Sequence, residues 1–236
     1  MDNWNGIISL FIACIELVLL INLLIFTEKN ILNIIAMLMI FILMIYQTLE
    51  FLMCQLGLDF ASMPYIAFVV ISFLPPLGLM IVFVLNDYKS KYRSLIFLPA
   101  LLLVLYYSFI IDQFAVTSCA VLYATYNYPL GDLYGFIYYT PILISILLLI
   151  KPLKHSSDKK IKYISKLLLL GNIVISIPVI IGFIMMATGN HSLIAKIESI
   201  MCKFAFVYAV ILGIIVLYNT ANKNERNNSE HIPDNK

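Results

Sequence analysis

Seven apolar runs dominate the chain and fix what it can fold into. They cover residues 6–26, 31–57, 65–86, 94–111, 133–150, 165–187 and 193–218. A helix needs roughly 17–25 residues to cross the hydrocarbon of a bilayer. The runs meet that length, and the longer second run can be accommodated by tilt. Lipid offers no hydrogen-bond partner, so each run must close its backbone bonds within itself as an α-helix. Hydrophobic residues make up 62% of the 236 positions, and mean hydropathy is +0.98. That balance leaves no length for a soluble domain of ordinary size. A receptor carrying its own kinase, cyclase or nucleic-acid output is excluded on those grounds. The opening "MDNWNG" lacks the basic stretch of a cleavable leader, so the first run is expected to stay as a span.

Basic residues set the expected orientation. Lys29; Lys89, Lys91 and Arg93; Lys151, Lys154, Lys159, Lys160 and Lys162; and Lys223, Arg226 and Lys236 fall in alternate connections. The other connections hold Asp2, Asp59, Asp112 and Asp132, with Lys196 at the mouth of the last run. The expected fold is therefore an all-α, seven-transmembrane-helix bundle over residues 1–220. Its N-terminus lies outside, its C-terminus is cytoplasmic, and residues 221–236 form a disordered tail. The bilayer is the principal partner. Anionic lipid is expected at the inner basic loops, above all "KPLKHSSDKKIKY", and no nucleic acid is needed to explain that charge.

Most connections are short, but residues 112–132, "DQFAVTSCAVLYATYNYPLGD", form a long and aromatic one. It shows no clean alternation and reads as a cap over the outer face, or as a lid or re-entrant segment. Within the apolar runs, prolines fall only in the third to the sixth: Pro75 and Pro76 in the third, then Pro99, Pro141 and Pro178. Proline removes a backbone donor and bends a helix. Ordinary kinking explains this, and a hinged wall is the functional alternative. Pro75 and Pro76 in "SFLPPLGLM" are the best hinge candidates.

The proline-free runs carry the charges. Glu16 lies ten residues into the first run. Gln47, Glu50 and Cys54 are spaced i, i+3, i+7 and share one face of the second. Lys196, Ser199 and Lys203 repeat that spacing in the last run. Glu198 points about 140° away from Lys203 around the helix. A charge in the hydrocarbon costs about 2.5–3.5 kcal/mol on insertion scales, so Lys203 needs a carboxylate. Depth favours Glu16 as its partner over Glu50. One carboxyl is then left to hold a proton or to face a water-filled pocket. Glu16, Gln47, Glu50 and Lys203 are the candidate ligand or ion pocket, with Ser199 and Glu198 as secondary members. The alternative is a structural cluster that fixes helix register. A retinal Schiff base on Lys203 is disfavoured, because the third run has no acidic counterion.

Other chemistry is sparse. His155, His191 and His231 fall in separate regions, so no zinc centre, catalytic site or cofactor site is expected. Phosphate-loop, dinucleotide and nucleophile-elbow motifs are absent. Cys14, Cys54, Cys119 and Cys202 all map to the outer half or the outer loop; small apolar packing is the usual role of a membrane cysteine, and a Cys54–Cys119 disulfide in an oxidising outer compartment is the alternative.

"YQTLEFLMCQLGL", "ISFLPPLGL", "YNYPLGDLYGFIYYTPILIS" and "SIMCKFAF" resemble an uncharacterised family of small bacterial seven-span integral membrane proteins, a domain of unknown function. Gln47 and Glu50 match its Q-x-x-E pattern in span two. Met201 and Lys203 depart from its last motif, where a tryptophan precedes the cysteine and a phenylalanine follows. The resemblance implies a seven-span fold and no activity. The leading expectation is a small-solute or ion/proton-coupled transporter with a polar site between spans 1, 2 and 7. A ligand-sensing or assembly subunit acting through a separate partner is the alternative, and a membrane-embedded lipid enzyme comes third.

Overall fold

A computed structural model describes residues 6–58, 60, 62–88, 93–119, 121, 124–187 and 194–230. Side chains at 182–183, 185–187, 194–199, 202 and 222–230 lie outside that description. The described elements are α1 (Ile7–Phe26), α2 (Ile31–Gln55), α3 (Ser62–Ser72), α4 (Leu74–Leu85), α5 (Leu98–Ser108), β1 (Ala115–Cys119), β2 (Ala124–Asn127), α6 (Gly131–His155), α7 (Lys159–Ala187) and α8 (Ile194–Glu230). Among the described residues, six helical segments are long and apolar enough to cross a membrane, with α3 and α4 together forming one of them. Their outer faces carry large apolar side chains, such as Phe11, Ile25, Phe136 and Ile184, each more than half exposed. A water-soluble protein rarely shows so much contiguous apolar surface. The chain is built as a multi-pass membrane protein.

Helices α2 and α8 form the centre. Ala36, Ile40 and Leu43 of α2 and Ala209, Leu212, Ile215 and Val216 of α8 are almost completely buried. Around this pair pack α1, α4 and α7, and α6 closes the bundle between α4 and α7. Contacts between α1 and α8 fix their register. Lys203 meets Ser9, and Gly213 lies against Leu19. The offset is 194 residues in both cases, so the two helices run parallel. Helix α2 is antiparallel to them, with Gly6 against Cys54 at one end and Asn33 beside Thr220 at the other.

Several expectations change. The third run is not one helix: it breaks at Phe73, and Pro75 and Pro76 stand in the first turn of α4. A first-turn N–H has no intrahelical partner to lose, so proline is tolerated there. Pro99 holds the same kind of position in α5. The fourth run is α-helical only over Leu98–Ser108 and is led by a 3-10 segment, Arg93–Phe97. The basic stretch expected as a loop after the fifth run is mostly helix, because α6 runs on to His155 and α7 starts at Lys159. Helix α8 extends to Glu230, into the tail expected to be disordered. Residues 231–236 lie outside the description.

The long aromatic connection is a hairpin. Strands β1 and β2 pair antiparallel, with a register irregularity between Val116 and Ser118. That irregularity breaks the alternation, which is why the sequence showed no clean strand pattern. A disulfide between Cys54 and Cys119 ties the hairpin to the end of α2, and β2 packs on α8. We refer to this end of the bundle as the hairpin end and to the opposite one as the basic end.

Candidate functional site

The charged cluster forms where α1, α2 and α8 meet near the hairpin end. Ser9 follows α1's start by less than a turn. Gln47 and Glu50, one turn apart on α2, face the same way. Lys203 on α8 donates from Nζ to Ser9 Oγ at 2.7 Å, Gln47 Oε1 at 2.8 Å and Glu50 Oε2 at 3.0 Å. Glu50 is 1% exposed and the lysine side chain 13%. The partner of Lys203 is thus Glu50, not Glu16. Counting residues from the start of each run misjudged its depth. Helix α8 begins about two turns before the level at which α1 starts, so Lys203 lies level with α1's first turn. Ser199 and Glu198 lie on the described backbone of α8, but their side chains are outside the description.

Glu16 lies deeper on the same face of α1 as Ser9, seven residues on and about 10 Å further along the axis. It is completely buried, and neither carboxyl oxygen has a hydrogen-bond partner.

Elsewhere the bundle holds two small chambers in line. The first, about 50 Å³, lies under the hairpin. Its walls come from α2 (Tyr46), α3 (Phe68), the hairpin and its flanks (Phe114, Tyr126, Tyr128) and α6 (Tyr134, Tyr138, Tyr139), with Met201 of α8 closing one side. The rings pack mostly edge to face: Phe68 lies 4.7 Å from Tyr107 at 72° and 5.4 Å from Phe114 at 65°. Such pairs are the favoured geometry for aromatic quadrupoles. The second chamber, about 30 Å³, lies nearer mid-bundle and includes Leu43, Pro75, Gly78, Asn172, Ala205 and Tyr208. Ile71, Tyr138 and Met201 line both chambers and separate them. Among the described residues, neither lining contains an Asp, Glu, Lys or Arg. A third space, about 30 Å³, gathers Pro76, Pro99 and Pro141 from α4, α5 and α6. Glu16, Gln47, Glu50 and Lys203 line none of these three. These three spaces therefore lie apart from the charged side chains at which the sequence placed a pocket.

Glycines shape the second chamber. A Cβ on Gly171 would run into Cδ2 and Cε2 of Tyr208, and one on Gly78 would stand 3.6 Å from its hydroxyl. The Cδ2–Cε2 edge of the Tyr208 ring therefore abuts α7 at Gly171, and its hydroxyl reaches α4 at Gly78. At the basic end a second polar cluster joins the helices. Asn33 Nδ2 donates to Glu28 O at 2.8 Å and to Thr220 Oγ1 at 3.2 Å. Asn219 Nδ2 donates to Asn33 Oδ1 at 2.8 Å, and Lys160 Nζ to Asn219 O at 3.2 Å.

Sequence reasoning missed Ser9, the basic-end asparagines and the ring-lined chamber. Ser9 and Glu16 at i, i+7 were a readable polar stripe. The chamber was not readable, because its walls come from five separated segments. Among the described residues, no group of three or more His, Cys, Asp or Glu side chains is placed to hold a metal ion.

No family model matches the chain, and no curated protein or solved structure matches it. The family resemblance rests on its four short motifs alone.

Proposed function

We propose that the protein is a carrier of the bacterial cell membrane that crosses it seven times, N-terminus outside. It admits a small, uncharged organic solute with an apolar or ring-shaped body from the hairpin side. The observation that carries this reading is the pair of in-line chambers beside the break between α3 and α4. Interrupted helices at mid-membrane are where carriers place their binding sites. Chamber walls that are aromatic and free of charge favour an uncharged ligand. At about 50 and 30 Å³ the chambers hold only a water or two as they stand. Admission of a solute therefore requires the wall to move, and the proline-started helices α4 and α5 supply a wall that ends and restarts.

Helix α5 is the seventh crossing. Its 3-10 leader packs against α4, and the turn after it packs against α3, so it joins the two ends of the bundle. Five 3-10 residues and eleven α-helical residues span about 26 Å. That is slightly short of a ~30 Å hydrocarbon layer, a mismatch a bilayer absorbs by thinning. An outer hairpin suits the disulfide, and an inner basic end suits the distribution of lysines.

The test is two-sided accessibility. Asn172→Cys is made with Cys14 and Cys202 changed to serine, and the protein is set in sealed vesicles of known orientation. A carrier predicts alkylation by a membrane-impermeant maleimide from either side in separate experiments. Reaction from the hairpin side alone supports the sensing alternative. Reaction from neither side, with the protein folded, shows the chambers to be packing voids and removes the proposal.

A further inference from the structure

The ammonium of Lys203 is held by three side-chain oxygens, Ser9 Oγ, Gln47 Oε1 and Glu50 Oε2, all within 3.0 Å. One of the three belongs to a carboxylate. This is the donor set of a monovalent cation site, with the lysine's own ammonium as occupant. Beneath it stands Glu16, fully buried and with both carboxyl oxygens unpartnered. Ser9 and Glu16 share a face of α1, and helical side chains lean toward the N-terminus. The Glu16 carboxyl therefore rises toward the triad. A lysine carries its charge on a flexible four-carbon stem, so one ammonium can serve two carboxylates at different depths.

We propose that Ser9, Gln47 and Glu50 form an exchange site for a small monovalent cation (sodium, potassium or ammonium). The cation enters as Lys203 swings to Glu16, and Glu16 gives up its proton. Charge balances at each end of the exchange. Before it, Lys203 is positive, Glu50 negative and Glu16 neutral. After it, the cation faces Glu50, Lys203 faces an ionised Glu16, and one proton has left. No covalent bond changes. The moves are coupled because each intermediate is costly. A cation added beside an unmoved Lys203 places two positive charges on one carboxylate. An ionised Glu16 without Lys203 is an unpaired charge in an apolar interior. Among the described side chains of α1, α2 and α8, the other buried ionisable groups are Tyr46 on α2 and Tyr208, which faces α7 and α4, while β2 contributes none that is charged. The inference is independent of the solute chambers, though Tyr46 and Met201 in the first chamber's wall neighbour Gln47 and Lys203 in sequence.

The test uses the full chain in detergent, weakly buffered with a pH-indicating dye. Sodium, potassium, ammonium or choline chloride is added at equal ionic strength. The expected result is release approaching one proton per chain with at least one small cation and none with choline. Glu16→Gln and Glu50→Gln should release none. Lys203→Met removes the ammonium from the three oxygens, so its melting temperature should rise with the same cation without proton release. Infrared spectra should show a protonated-carboxyl band in the wild type that is lost on cation addition and absent in Glu16→Gln. Absence of release with all three small cations overturns the proposal, as does equal release with choline or release that persists in Glu16→Gln. If Glu16→Gln does not fold, the wild-type infrared band decides: a band indifferent to the cation refutes the exchange.

Discussion

Changing Lys203 to methionine removes the cation that three oxygens share and takes from Glu50 its 3.0 Å ion pair. Glu50 is 1% exposed, so solvent cannot replace the lost partner. Breaking a buried ion pair from one side costs about 3–5 kcal/mol. Loss of the charged hydrogen bonds is the same energy counted differently and is not added to it. Lys203 is itself 13% exposed, and the Glu50 carboxyl can take up a proton, so we expect the lower end, about 3 kcal/mol. By the scaling for soluble domains of similar length this lowers the melting temperature by about 6–12 °C. Lys203→Met with Glu50→Gln removes both charges of the pair and should recover about 2 kcal/mol of the loss. Lys203→Met with Glu16→Gln should be additive in choline chloride, because Lys203 makes no hydrogen bond to Glu16 in this arrangement. The assay is a set of melts in one detergent, run in sodium and in choline chloride. Additivity of Lys203→Met with Glu50→Gln would refute the pairing on which the site is built.

Two further outcomes follow from packing and covalent geometry. Gly171→Ala would drive a methyl into the Tyr208 ring; overpacking of this kind costs about 1–3 kcal/mol, and a melt that is unchanged would mean that the ring is not held between α7 and α4. Replacing Cys54 and Cys119 by serine opens a loop of 65 residues, worth up to about 4 kcal/mol in the chain-entropy picture. The measured loss should be smaller because the membrane already restrains the helices, and reductant should lower the wild-type melting temperature but not the variant's.

Apolar run length made the membrane helices legible, and that signal depends only on the solvent. It could not locate the break at Phe73, because a proline in a first turn and a proline in a kink look alike in one dimension. Helix ends were lost wherever a helix continued past the hydrocarbon, as α6, α7 and α8 do at the basic end, since polarity marks where lipid stops and not where a helix stops. The i, i+3 spacing of Gln47 and Glu50 was readable and identified two of the three Lys203 acceptors. Their pairing was not, because depth counted from the edge of each run ignores how far α8 projects beyond α1. The hairpin escaped because its strands are short and irregular in register, and its aromatic residues serve the bundle and not a sheet face.

Everything placed outside the membrane depends on α5 being a crossing, and single-cysteine labelling tests that directly. With Cys14 and Cys202 replaced by serine, probes go at Val121 in the hairpin, at Arg93 before α5 and at Lys154 at the end of α6. The account predicts that an impermeant thiol reagent reaches Val121→Cys only from outside, and Arg93→Cys and Lys154→Cys only from the cytoplasm. Labelling of Val121→Cys and Arg93→Cys from the same side would contradict it, leaving a six-span bundle with no outer cap.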